Sequence, residues 1–158
     1  MARVHSTQTI KGKPRVWRLD DESRKLTSPS RCKQCGAEFH DGRWCWPSEA
    51  SAEAASVVCP ACRQTNEQSP TGVLSLSGDY FFAHKDEIMH LIQHQVDHEN
   101  KQHPMNRIIQ MDQKPDAVTY SFTDMHLPKR VGNALKHAHS GELDIQYDEA
   151  ICRATWKR

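Results

Sequence analysis

Residues 31–36 read Arg31-Cys32-Lys33-Gln34-Cys35-Gly36, and residues 58–63 read Val58-Cys59-Pro60-Ala61-Cys62-Arg63. A Cys-x-x-Cys turn places two sulfurs on one side of a tight loop, within reach of one ion. Two such turns complete a sulfur tetrahedron with bonds of about 2.3 Å. Gly36 frees the backbone just after the first turn. The 23 residues between the pairs, 36–58, leave room for a β-hairpin that returns the chain. This is the zinc-ribbon arrangement. It predicts one zinc ion held by Cys32, Cys35, Cys59 and Cys62. Four thiolates leave no open coordination position, so the expected zinc is structural. One pair alone would suit a redox site, and iron also accepts a tetrahedral sulfur site. Two pairs in one short stretch favour zinc.

Two cysteines remain. Cys45 lies in Gly42-Arg43-Trp44-Cys45-Trp46-Pro47, between the pairs, and Cys152 lies near the end. Neither has a Cys-x-x-Cys partner, so both read as small apolar residues. A ribbon over residues 31–66 is too small to rest on a core, and the metal should hold it folded. Trp44 and Trp46 then have two uses: packing on the ribbon or its neighbour, and stacking on bases or a partner. Packing is the favoured one.

Residues 72–158 carry the periodicities of an α+β domain. Val73-Leu74-Ser75-Leu76 suggests a strand. Gly78-Asp79 turns the chain toward a helix over about 84–100, where Ile88, Leu91, Ile92 and Val96 share one face. Pro104 ends that pattern. Arg107–Met111 and the alternating Val118, Tyr120 and Phe122 read as strands flanking a turn at Lys114-Pro115-Asp116. Asp124 is the predicted N-cap of a second helix running to about His139, with Leu127, Val131 and Leu135 as its stripe. Pro128 fits the first turn and Ser140-Gly141 the stop. Leu143, Ile145 and Tyr147 alternate, and a last strand passes through Ile151, Arg153, Thr155 and Trp156. The expected fold is α+β: an N-terminal zinc ribbon plus a ferredoxin-like or split βαββαβ sheet with one extra strand and helices on one face.

The charge is unevenly spread. Net charge is +1, yet residues 1–19 hold Arg3, Lys11, Lys13, Arg15 and Arg18 and no acid. Residues 72–158 hold ten Lys/Arg against twelve Asp/Glu. Residues 1–30 thus form a basic arm, expected to be extended and ending in Thr27-Ser28-Pro29-Ser30. Such an arm is either a solvated tail or a strip that replaces counterions on nucleic-acid phosphates. The start, MARVHSTQTI, lacks a signal-peptide apolar run, and no stretch approaches the ~20 apolar residues of a membrane span. A cytoplasmic protein without membrane contact is expected, in a compartment that favours metal thiolates over disulfides.

The first helix also carries His84, His90, His94 and His98. His90, His94 and His98 fall opposite its apolar face and should be exposed. Histidines at i, i+4 can bind a second metal, here with Glu87 and Asp97 nearby, but a solvated or partner-facing surface is favoured. No nucleophile motif, phosphate loop or paired-carboxylate signature makes a case for an enzyme. The second helix opens with Lys129-Arg130 and closes with Lys136, His137 and His139. These basic residues complement a helix dipole or add to a phosphate surface.

The order of these pieces resembles the N-terminal half of the 60S ribosomal export adaptor family, the nonsense-mediated decay protein three family. The resemblance covers about residues 31–158. It rests on Arg31–Cys35 and Cys59–Arg63, on Leu76-Ser77-Gly78-Asp79-Tyr80 before a helix, on His126-Leu127, and on Gly141-Glu142-Leu143. It implies ribosome binding through rRNA and ribosomal proteins, with Cys32, Cys35, Cys59 and Cys62 matching the family's zinc knuckles. The chain departs from the family in holding one set of paired knuckles where two are common, and in lacking the later domains and export-signal region. A short prokaryotic relative acting on ribosomes is the implied reading. The expected function is a non-enzymatic zinc-ribbon protein that binds the ribosome or structured rRNA, using Arg3, Lys11, Lys13, Arg15, Arg18, Trp44 and Trp46. The competing expectations are a protein-interaction adaptor using the ribbon and the histidine helix, and a metal sensor or metalloenzyme using His90, His94 and His98.

Overall fold

The computed structural model describes residues 26–158. Over these residues the chain is α+β, with two mixed sheets and four helices.

The first sheet is small. Strands β1 (Ser30–Cys32), β2 (Glu38–His40), β3 (Arg43–Cys45) and β4 (Ala55–Val57) lie in the order β3-β2-β1-β4. β1 pairs antiparallel with β2 and parallel with β4, and β2 and β3 form the hairpin. Helix α1 (Pro60–Glu67) follows. It was not expected. Its start is built from the second cysteine pair: Cys59 is the N-cap, its sulfur accepts from the Cys62 amide, and Pro60 fills the first turn. Beneath the sheet lies a small core of Ala37, Phe39, Trp44, Ala61 and the cysteines, joined by Met105 from the second region. Ser30, placed at the end of the arm on sequence grounds, is buried as the first residue of β1.

The second sheet is built on strands β5 (Gly72–Ser77), β6 (Ile108–Gln113), β7 (Val118–Phe122), β8 (Glu142–Tyr147) and β9 (Cys152–Lys157). Their order is β6-β7-β5-β9-β8. β5 and β9 are parallel, and the other neighbouring pairs are antiparallel. Without β9, the order β6-β7-β5-β8 is the ferredoxin-like one. The extra strand is therefore inserted beside the central strand rather than added at an edge. It brings Trp156 to the middle of the core, fully buried and edge-on to Phe81 at 6.4 Å and 86°.

Alternate residues of the three central strands, Leu74, Leu76, Val118, Tyr120, Phe122, Ala154 and Trp156, face the helices. The opposite face carries Ser75, Thr119, Ser121 and Thr155 in register. Helices α2 (Asp79–Ala83) and α3 (Lys85–Gln102) occupy the predicted first-helix region, and α3 buries Ile88, Ile92 and Val96. Helix α4 (Leu127–His139) buries Leu127, Val131 and Leu135. Gly132 lets α4 lie on β8, because a Cβ there would stand 2.7 Å from Leu143. Asp124 is not the N-cap of α4. His126 holds that position, and the Asp124 carboxylate accepts from the His126 amide in a turn before the helix. β6 begins one residue later than expected, which frees Arg107 from the sheet for a different task.

Candidate metal centre

The two halves of the four-cysteine cluster are made differently. The first pair lies on the tight turn after β1, where the Gly36 amide donates to the Cys32 carbonyl at 2.9 Å and Gly36 takes φ of +81°. The second pair sits at the N-terminus of α1, whose free amides and dipole favour negative sulfur. The chain brings the halves together by pairing β1 with β4. The Cys59 amide then donates to the Cys32 sulfur at 3.3 Å.

The four sulfurs lie within 4.8 Å of one another. Cys32 and Cys62 sulfurs are 3.8 Å apart, and those of Cys35 and Cys59 are 3.7 Å apart. A regular tetrahedron with metal–sulfur bonds of about 2.3 Å has edges of about 3.8 Å. The residues present therefore fit one tetrahedrally held metal ion. None of the six cysteines is in a disulfide, and Cys32, Cys59 and Cys62 are buried.

The electrostatics call for a cation. Burial opposes ionisation of Cys32, but amides of Cys59, Cys35 and Gln34 outweigh it and bring the thiol down to about 6. Burial pushes Cys59 and Cys62 the other way, and the Cys35 charge adds to that rise. Protein groups alone thus favour the Cys32 thiolate and resist those of Cys59 and Cys62. A bound dication would let all four ionise together.

Part of the needed positive charge comes from Arg107, which no sequence motif marked. Its Nη1 donates to the Cys62 sulfur at 3.2 Å, and its Nη2 donates to the Cys35 sulfur at 3.1 Å and the Cys59 sulfur at 3.7 Å. Its Nε donates to the Pro104 carbonyl at 2.7 Å, which fixes the plane of the fork. Burial works against the guanidinium charge, but bonds to Cys35 and Cys62 more than compensate and hold its pKa above the ordinary value. Trp46 lies 5.6 Å from the guanidinium carbon and donates its indole N–H to the Asn100 carbonyl at 2.7 Å. Arg107, Trp46 and Met105 thus join the ribbon to the second region through the metal centre itself.

The other predicted site residues are dispersed. Trp44 is buried against Phe39 at 5.6 Å, so the expectation of a stacking face there is corrected; Trp46 is 38% exposed. His90, His94 and His98 line the exposed side of α3. Among the described residues, the four cysteines are the one group of three or more Cys, His, Asp or Glu side chains close enough to share an ion. Cys45 is half-buried in β3 and Cys152 is buried in β9, both outside the cluster. Arg3, Lys11, Lys13, Arg15 and Arg18 lie outside the described residues.

The fold and the site define a class: an α+β protein with a ribbon-type four-cysteine metal centre. Comparison with protein-family models, curated proteins and solved structures finds no match.

Proposed function

We propose that this chain is a non-enzymatic zinc-ribbon protein that binds the ribosome or structured rRNA, with one structural zinc. Zinc is the ion of this reading because four cysteine sulfurs at tetrahedral spacing suit it and leave no position for a substrate. A reducing, cytoplasmic setting accompanies it, since there the thiols stay available to metal.

The observation that carries the RNA reading is an acid-free cleft of about 480 Å³ over the first knuckle. Arg31, Lys33, Gln34 and Ser56 line it together with the knuckle backbone. Among the described residues, neither Arg31 nor Lys33 has a carboxylate within salt-bridge reach. In sequence, residues 1–19 add five Lys/Arg and no acid ahead of Asp20-Asp21-Glu22. Cations of this kind suit phosphates, whose contacts release counterions and make binding salt-dependent.

Sedimentation of zinc-loaded protein with ribosomes tests the reading. Co-migration at low salt that weakens at moderate salt supports it; absence of co-migration at both salts rejects it. The exposed histidine side of α3 favours a second reading, an adaptor for a protein partner. Under that reading, deletion of residues 1–19 leaves binding intact and salt dependence shallow.

A further inference from the structure

Beside the metal centre lies a second cleft, of about 300 Å³, between Trp46 and the C-terminal half of α3. One wall is the Trp46 ring, partly exposed and held by its bond to the Asn100 carbonyl. Val96 and Ile108 supply further apolar surface. Gln93, Asp97 and Asn106 supply polar ends. Gln93 Nε2 donates to Asp97 Oδ1 at 2.9 Å, and among the described residues Asp97 Oδ2 has no hydrogen-bond partner. The Asn100 side-chain amide donates to the Pro104 and Asn106 carbonyls at 3.3 and 3.2 Å, so the turn at the cleft's base is tied down.

An aromatic wall, an apolar back and a few converging polar groups are the makings of a site for a flat heterocycle. The polar groups narrow the choice. A carboxylate accepts hydrogen bonds and cannot donate, so it asks for ligand N–H groups. Guanine presents two adjacent donors on its Watson–Crick edge, the ring N1–H and the exocyclic amine. Adenine and cytosine present one amine beside an acceptor that would face the carboxylate's lone pairs. Single-stranded nucleic acid recognition commonly joins stacking on an aromatic ring with bonds to this edge.

We propose that the Trp46–Asp97 cleft receives one unpaired guanine base, stacked on Trp46 and read by Asp97. The proposal rests on the RNA reading above and gives that surface a base preference. Arg107 at the cleft's floor is committed to the thiolates, so it positions the Trp46 ring rather than reading the base.

The test uses the full zinc-loaded chain and two labelled RNAs, a uridine octamer and the same octamer with one central guanosine. Fluorescence anisotropy gives affinity, and quenching of tryptophan emission reports stacking. Tighter binding of the guanosine RNA by about tenfold, with stronger quenching, is expected. In Asp97→Asn, whose side chain is exposed on α3, the ratio of the two affinities falls toward one. A matched octamer with a central adenosine should show no such advantage. Equal affinity for guanosine and uridine octamers, or an undiminished ratio in Asp97→Asn, overturns the guanine site while leaving the RNA reading in place. No binding of any octamer or of ribosomes overturns both.

Discussion

The ribbon's hydrophobic core has eight residues, three of them cysteines and one, Met105, borrowed from across the junction. The second sheet closes over fourteen, including Trp156, Phe81, Phe122 and six Leu or Ile side chains. At about 25 cal/mol per Å² of apolar surface buried, the second set can support a domain and the first cannot. The ribbon depends on something other than apolar burial, and its sulfurs stand where a metal would supply it. Small folds with local metal links and larger folds with a continuous core thus meet in one chain. Arg107 is where they touch, because it belongs to the second region and bonds to the sulfurs of the first.

The largest effect that would break or sharpen this contrast is metal removal. Stripping the ion, or replacing Cys59 by Ser, should unfold residues 30–67, since structural zinc sites contribute on the order of 10 kcal/mol to folding. Circular dichroism with metal analysis would register the loss, and a ribbon that stays folded without metal would break the contrast. Next comes the core of the other region. Trp156→Ala should cost about 3–5 kcal/mol in denaturant unfolding of the second region, while the bound metal stays at one equivalent until that region unfolds.

Arg107→Ala comes third. Removing an outer partner of metal ligands typically lowers affinity about 10- to 100-fold. Competition with a chromophoric chelator should show a loss of that size. Arg107→Lys should recover part of it, because one ammonium cannot span Cys35 and Cys62 as the guanidinium fork does. An unchanged affinity in Arg107→Ala would make the arginine a mere neighbour.

Glu38 gives a smaller, pH-dependent effect inside the ribbon. The Ser51 contact, aided by His40, holds this carboxyl below its ordinary value of 4.5 despite its burial. A folded-state pKa below the unfolded one contributes stability above the unfolded value, and that contribution is lost as pH falls through the folded value. The stability gap between wild type and Glu38→Gln should therefore be level above about pH 5 and close below it. A gap that widens toward acid would reverse the sign. Smallest of all, replacing His90, His94 and His98 together by Ala should leave stability within about 0.5 kcal/mol and metal content at one.

Much of this contrast was legible in residue order. The two Cys-x-x-Cys pairs marked the metal cluster because ligand spacing is local chemistry. Ile88, Ile92 and Val96 marked the buried face of α3 through their helical period. Other features were hidden for physical reasons. The place of β9 in the sheet depends on long-range pairing with β5, which no local pattern encodes. Helix α1 is short and polar, so its signal lay only in Cys59-Pro60 at its start. Arg107 stands 45 residues beyond Cys62 and reads like any charge at a strand's edge. Trp44 and Trp46 are two apart, a spacing that one strand would place on the same face, but β3 ends at Cys45: Trp44 packs onto Phe39 from within the strand, and Trp46 leaves it and reaches the junction.

The central claim is that one metal ion on Cys32, Cys35, Cys59 and Cys62 folds the ribbon while the second region stands on its own core. Chelator titration followed residue by residue in amide NMR spectra tests it most directly. The account predicts release of one equivalent of zinc. Signals from residues 30–67 should collapse, shifts should follow around Asn100–Arg107, and signals from the five-stranded sheet should persist. Collapse of both regions together, or retention of the ribbon's signals after the metal has left, would contradict it.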